Sequence, residues 1–148
     1  MKILDNNALS FAIAKRIALQ ERYIITPDIS DEQSAWGRDA LPEQVAVFTE
    51  AGGLDEGVYL SHYQAVLNSY KSRSFYNMRG FGDISILALL RTIKASQQGQ
   101  LPGLAGPVTV VTSDSDLIKE IRAQFSEMSS EFDAKLTIQD ETAHFASS

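Results

Sequence analysis

The sequence predicts an α/β fold, a three-layer α/β/α sandwich built on a mostly parallel sheet of four or five strands. Short apolar, β-branched runs alternate with helical patterns along the whole chain, as strands joined by crossover helices do. The clearest such unit is Val108 to Leu117, VTVVTSDSDL, in which Val108, Val110 and Val111 end in a Thr-Ser-Asp-Ser-Asp turn. A helical pattern follows at Leu117, Ile118, Ile121 and Phe125. A buried strand feeding a helix in this way puts its turn in the crevice outside the carboxyl edge of the sheet, where open α/β sheets bind ligands. Asp114 and Asp116 occupy that turn.

Taken in order, Lys2-Ile3-Leu4 is a short strand ending at Asp5, and Asn6 and Asn7 follow as turn or capping residues. Ala8 to Leu19 carries a helical stripe that should stop near Gln20 to Arg22. Tyr23 to Thr26 is the second strand, punctuated by Pro27, which cannot donate to a sheet ladder. Ser30-Asp31-Glu32-Gln33 reads as a capping box, with Ser30 as N-cap and Gln33 at the third helical position. Ala35 to Thr49 reads as helix, interrupted around Leu41-Pro42 and ended by Gly52-Gly53. Val58-Tyr59-Leu60 reads as a third strand, and His62 to Ser72 as a helix.

Ser74 to Gly82 is a glycine-bearing loop with three aromatics. Asp83 then opens a strongly apolar helix through Ile84, Ile86, Leu87, Leu89, Leu90 and Ile93, a pattern that belongs in a core. Gly99 to Pro107 is a loop, the helix after the Val108 strand runs to about Met128, and Ala134 to Ile138 reads as a final edge strand.

Composition narrows the function classes. A chain of 148 residues suits one domain, residues 1–148, and 44% hydrophobic with 22% charged residues is ordinary for a globular protein. No apolar run reaches bilayer length, and Asp5 falls where a signal peptide would begin its apolar region, so a cytoplasmic protein without a membrane partner is expected. The absence of cysteine removes disulfides, thiolate catalysis and most structural zinc sites. His62 and His144 are too far apart to suggest zinc, and His62 reads as a surface or hydrogen-bonded residue rather than a general base. Net charge is −6 with a pI near 4.8. Yet between Gly57 and Ala95 five cations, Lys71, Arg73, Arg79, Arg91 and Lys94, face the lone Asp83.

Acidic residues recur at strand ends and helix starts: Asp5, the Asp31/Glu32 pair, Asp83, and Asp114 with Asp116. Carboxylates gathered without histidine or cysteine make a hard, all-oxygen site suited to Mg²⁺ or Mn²⁺. Helix N-termini favour acids by a few tenths to about 1 kcal/mol, which alone accounts for Asp31 and Glu32. Asp5 and Asp114 are harder to explain that way, since acids at neighbouring buried strand ends repel unless a cation lies between them.

The ordered motifs KILDNN, TPDISDE, GFGDISILALL and VVTSDSD resemble the PIN domain family over nearly the whole chain. The resemblance implies a parallel α/β/α sandwich whose acids bind Mg²⁺ or Mn²⁺ and hydrolyse single-stranded RNA through metal-activated water. It carries Asp5, Glu32, Asp83 and Asp114 over as catalytic and metal-site acids, with Asp116 as an additional or outer ligand. Asn7 and Thr112 match small polar positions that orient acids or water. Asn6 stands where Thr or Ser is common, and Gln33 replaces an apolar residue, which leaves open whether Asp31 or Glu32 faces the site. Many small stand-alone members are toxins held by an antitoxin, so a peptide-like protein partner and a homodimer are implied as candidates.

Lys71, Arg73 and Arg79 are candidates to meet phosphates, and Tyr76 or Phe81 to stack on an unpaired base. Trp36 reads as packing or a dimer contact rather than as a platform for a base. Two rival readings stand beside the nuclease. One is a PIN-like RNA- or protein-binding module without catalysis. The other is a phosphate-handling receiver or phosphatase relative, which needs a lysine at a late strand end that this chain lacks.

Overall fold

The computed structural model describes residues 1–37, 41–48, 54–70, 82–98, 106–125 and 131–146. Five strands form one parallel sheet: β1 (Lys2–Leu4), β2 (Tyr23–Ile25), β3 (Val45–Val47), β4 (Val108–Val111) and β5 (Leu136–Gln139), in the order β3-β2-β1-β4-β5. The helices are α1 (Asn6–Ala14), α2 (Pro27–Ala35), α3 (Glu56–Tyr70), α4 (Gly82–Gln98), α5 (Ser115–Gln124), α6 (Glu131–Lys135) and α7 (Glu141–Ala146). The chain steps outward from β1 to β3, then crosses back to β4. Right-handed crossovers therefore put α1 and α2 on one face and α3 to α5 on the other, the expected three-layer sandwich.

The core is centred on β1, β4 and α4. Ile3 and Leu4 pair with Val110 and Val111, and all four are fully buried. Ile86, Leu87, Leu89 and Leu90 are fully buried in α4, so this helix is apolar around its circumference because protein surrounds it. Its buried hydroxyls find partners within the core: Ser85 Oγ donates to the Gly82 carbonyl at 2.5 Å and Thr92 Oγ1 to the Ala88 carbonyl at 2.8 Å.

Several boundaries differ from the expectation. β3 is Val45–Val47, inside the stretch read as helix, and Val58-Tyr59-Leu60 lies within α3 instead of forming a strand. Val45 and Val47 alternate with Ala46 in burial, a two-residue period that the wider helical window averaged away. α1 ends at Ala14, where Lys15 caps it and Arg16 takes a left-handed φ of 51°. The apolar pattern continues because Ile17 and Leu19 still pack on the core from irregular chain. α2 begins at Pro27 with Thr26 as N-cap, its hydroxyl accepting from Ile29 N at 3.3 Å, so Ser30 is not the cap. Proline at the first helical position explains the earlier start, since its missing N–H needs no partner there. Residues 134 and 135 belong to α6, and β5 starts at Leu136. The Ser74 to Phe81 loop, residues 99–105 and the Met128 boundary lie outside the described residues.

α4 also carries two cations of the basic segment. Lys94 Nζ donates to Asp133 at 3.0 and 3.2 Å, and Asp133 is only 4% exposed. Arg91 Nε donates to Gln124 Oε1 at 3.1 Å. Both therefore serve the packing of α4. Removing one partner of a buried pair strands the other charge, so Lys94→Met is expected to cost about 3–5 kcal/mol in urea denaturation. The double change with Asp133→Leu should recover most of that loss.

Candidate functional site

Strand order reverses between β1 and β4, and their carboxyl ends open the crevice where such sheets place ligands. The register sets Leu4 beside Val111, so Asp5 and Thr112 come next, side by side. Asp5 N donates to the Val111 carbonyl at 3.2 Å. Its carboxylate caps α1, Oδ1 accepting from Ala8 N at 2.7 Å, while Oδ2 accepts from the buried Thr112 hydroxyl. That hydroxyl also accepts from Asp114 N at 3.1 Å. Thr112 thus ties the two strand-end acids together. Asp114 in turn caps α5, accepting from Asp116 N at 2.9 Å and Leu117 N at 3.1 Å.

The third acid comes from α2. Because that helix starts at Pro27, Glu32 falls in its second turn, beyond the positions where the macrodipole alone favours an acid. Glu32 turns inward and Asp31 is exposed, which resolves the choice the sequence left open. Asn6 Nδ2 donates to Glu32 Oε2 at 2.5 Å, and the buried Gln33 donates to Asn6 Oδ1 at 2.5 Å and to Ser10 Oγ at 3.1 Å. Asn6 and Gln33 therefore form the brace that aims Glu32. A Cβ on Gly82 would stand 3.3 Å from Glu32 Oε1, so glycine there lets the start of α4 approach this carboxylate closely.

Asp83, in the first turn of α4, completes the group. Asp5, Glu32, Asp83 and Asp114 line one cavity of about 210 Å³ with Asn6, Asn7, Trp36, Gly82 and Ile86, and these described lining residues include no Lys or Arg. Burial, followed by repulsion from Asp114, Asp5, Glu32 and Asp116, pushes the Asp83 carboxyl up to about 7. Burial likewise raises Asp5 to about 6, against hydrogen bonds from Thr112 and Ala8 that hold it lower. Glu32 is raised by burial and then by Asp28. No described residue hydrogen-bonds the Asp83 side chain.

The donors are all oxygen, are partly desolvated and repel one another, which is the chemistry a hard dication relieves. Among the described residues no three acidic or imidazole side chains are already gathered at ligand spacing. Asp5 and Asp114 accept from backbone amides of the helices they cap, and Glu32 accepts from Asn6.

The remaining candidates divide. Asn7 is exposed on the cavity wall, whereas Asp116 is exposed outside it and acts on Asp83 only through charge. His62 does not line the cavity, and burial with nearby Arg91 lowers its pKa. Lys71, Arg73, Tyr76, Arg79 and Phe81 lie outside the described residues.

Trp36 requires a correction: it is 56% exposed and lines the cavity, so it is not core packing. Its spacing of four residues from Glu32 was the signal, since both fall on one helix face. Glu141, which follows β5, was missed. It accepts from Ser113 Oγ at 2.8 Å and adds to the repulsion on Asp5. Only the sheet order places it near.

No family model matches this chain, and neither the curated proteins nor the solved structures yield a match.

Proposed function

We propose that the chain is a divalent-metal-dependent ribonuclease of the PIN type, hydrolysing phosphodiester bonds of single-stranded RNA in the cytoplasm. The observation that supports it is that four acids, distant in sequence, line one cavity at the β1/β4 switch whose described lining has no Lys or Arg, where burial and repulsion raise the pKa of Asp5 to about 6 and of Asp83 to about 7. Asp5, Glu32, Asp83 and Asp114 would hold Mg²⁺ or Mn²⁺, with Asp116 further out. When bound, such an ion supplies an acidified water nucleophile and neutralises charge on the phosphodiester.

The chain's own residues prepare for this. Thr112 and the Ala8 amide fix the Asp5 carboxylate, and Asn6 with Gln33 fixes Glu32. Asp83 has no such brace among the described residues, and its pKa, raised to about 7, makes it the carboxyl most able to carry a proton near pH 7. Residues that orient metal ligands are worth about 10- to 100-fold in affinity, so Thr112→Val should weaken Mn²⁺ binding by about that factor in calorimetry. A toxin role with an antitoxin-like partner, and a homodimer, extend the same reading. No described helix is long and apolar enough to cross a membrane.

The test is cleavage of a single-stranded RNA oligomer by purified protein with Mg²⁺ or Mn²⁺. Activity should vanish with EDTA and in Asp5→Asn. Equal rates for parent and Asp5→Asn would remove the assignment of the site.

A second reading, a binding module without catalysis, is favoured by the commitment of Asp5 and Asp114 to their helix caps. Calorimetric titration separates the two, because absence of Mn²⁺ binding at millimolar metal selects the module.

A further inference from the structure

We propose that Trp36 is the stacking platform for an unpaired nucleobase, so that the site takes a single strand with one base turned out beside the phosphodiester at the acids. This rests on the nuclease reading and specifies how its substrate is held. The first support is an electrostatic difficulty. The described lining holds four acids and neither Lys nor Arg, and the chain carries −6, so without a bound dication a polyanionic strand gains little attraction from it. Base stacking on an aromatic ring is a contact indifferent to charge, and it adds binding energy that the acidic residues of the described lining do not supply.

Trp36 is the sole aromatic residue in the described lining. It stands one helical turn beyond Glu32, with Trp36 N donating to the Glu32 carbonyl at 3.2 Å. Residues so spaced share a face at about 5–6 Å between Cβ atoms, comparable to the span between a phosphodiester and the base of the same nucleotide. α2 ends there, because Gly37 follows at a φ of 78°, a left-handed conformation that suits glycine and stops the helix. At this helix end the indole is 56% exposed. Asn7 sets an exposed amide on the same cavity wall, with donors and an acceptor for a base edge.

Trp36 is the only tryptophan in the chain, so its fluorescence reports on this position without any need for turnover. The probes are an end-labelled oligoadenylate and an abasic ribose-phosphate oligomer of equal length, titrated with Ca²⁺ in place of Mg²⁺. Oligoadenylate is expected to quench the indole emission and the abasic oligomer to leave it unchanged. Trp36→Ala should weaken oligoadenylate binding about 10-fold, leave abasic binding and Mn²⁺ affinity as they were, and be partly rescued by Trp36→Phe.

Equal binding of both oligomers without quenching, while Mn²⁺ binding and cleavage persist, overturns the stacking role and leaves the nuclease reading standing. A dimer that Trp36→Ala converts to monomer, with oligomer affinity unchanged, also overturns it and gives Trp36 to a subunit contact. Loss of both Mn²⁺ binding and cleavage in the parent protein removes the nuclease reading and the stacking role together.

Discussion

Asp83→Asn is expected to lower RNA cleavage by about a thousandfold or more while making the metal-free protein more stable above pH 7. The loss of rate follows from removing a carboxylate whose ion would contribute several kcal/mol of charge stabilisation in the transition state. The gain in stability follows from the environment of Asp83. Burial and four neighbouring acids disfavour its charged form, and no described residue hydrogen-bonds it. An amide of the same shape carries no such penalty. Opposite signs in activity and stability mark a group held for function at a structural cost. Had Asp83 served only the dipole of α4, the variant would lose a few tenths to about 1 kcal/mol, and cleavage would continue. Melting curves of parent and variant at pH 8 in EDTA, beside a cleavage assay, read both signs.

The second large effect is an inverted dependence of stability on pH. Asp5 and Asp83 have native pKa values raised to about 6 and about 7 from an ordinary 3.8. A raised carboxyl contributes stability that is present in full below the unfolded value and is lost as pH climbs through the native one. The metal-free protein should therefore weaken between pH 5 and pH 8, by roughly 3–4 kcal/mol or on the order of 10 °C in melting temperature. His62 and His144 work against this, since burial lowers both and they add stability as pH rises past 6.5. Each is partly solvated, so their opposition is the smaller effect. Millimolar Mn²⁺ should restore the loss at pH 8 and do little at pH 5, where protons compete for the same oxygens. A metal-free protein that is most stable at pH 8, or one that Mn²⁺ stabilises equally at both pH values, contradicts the electrostatic description of the cavity.

The sequence showed the sheet at its centre and lost it at one edge, for physical reasons. β1 and β4 are buried on both faces, so they read as continuous apolar runs, and α4 as an uninterrupted apolar helix. β3 has three residues flanked by Pro42 and Phe48, too short for a two-residue period to outweigh the helical spacing of Trp36, Leu41, Val45 and Phe48. Asp5, Asp83 and Asp114 were legible individually because each ends a strand or starts a helix, and they line one cavity because those ends share one sheet edge.

The inward turn of Glu32 was not legible, since Asp31 and Glu32 are equivalent until the helix start is fixed at Pro27. Nor was the service of Asn6 and Gln33 as its brace, which depends on contacts between α1 and α2. The exposure of Trp36 was not legible for a related reason. Tryptophan is usually packed, and its exposure depends on Gly37 ending α2 at that point.

An anomalous difference map from crystals soaked in Mn²⁺ near pH 8 examines the central claim most directly. A peak in the cavity, with carboxylate oxygens of Asp5 and at least one of Asp83 and Asp114 at about 2.1–2.2 Å, is the expected result. A cavity that stays free of manganese at millimolar metal, with Asp5 and Asp114 still turned to their helix caps, would contradict it.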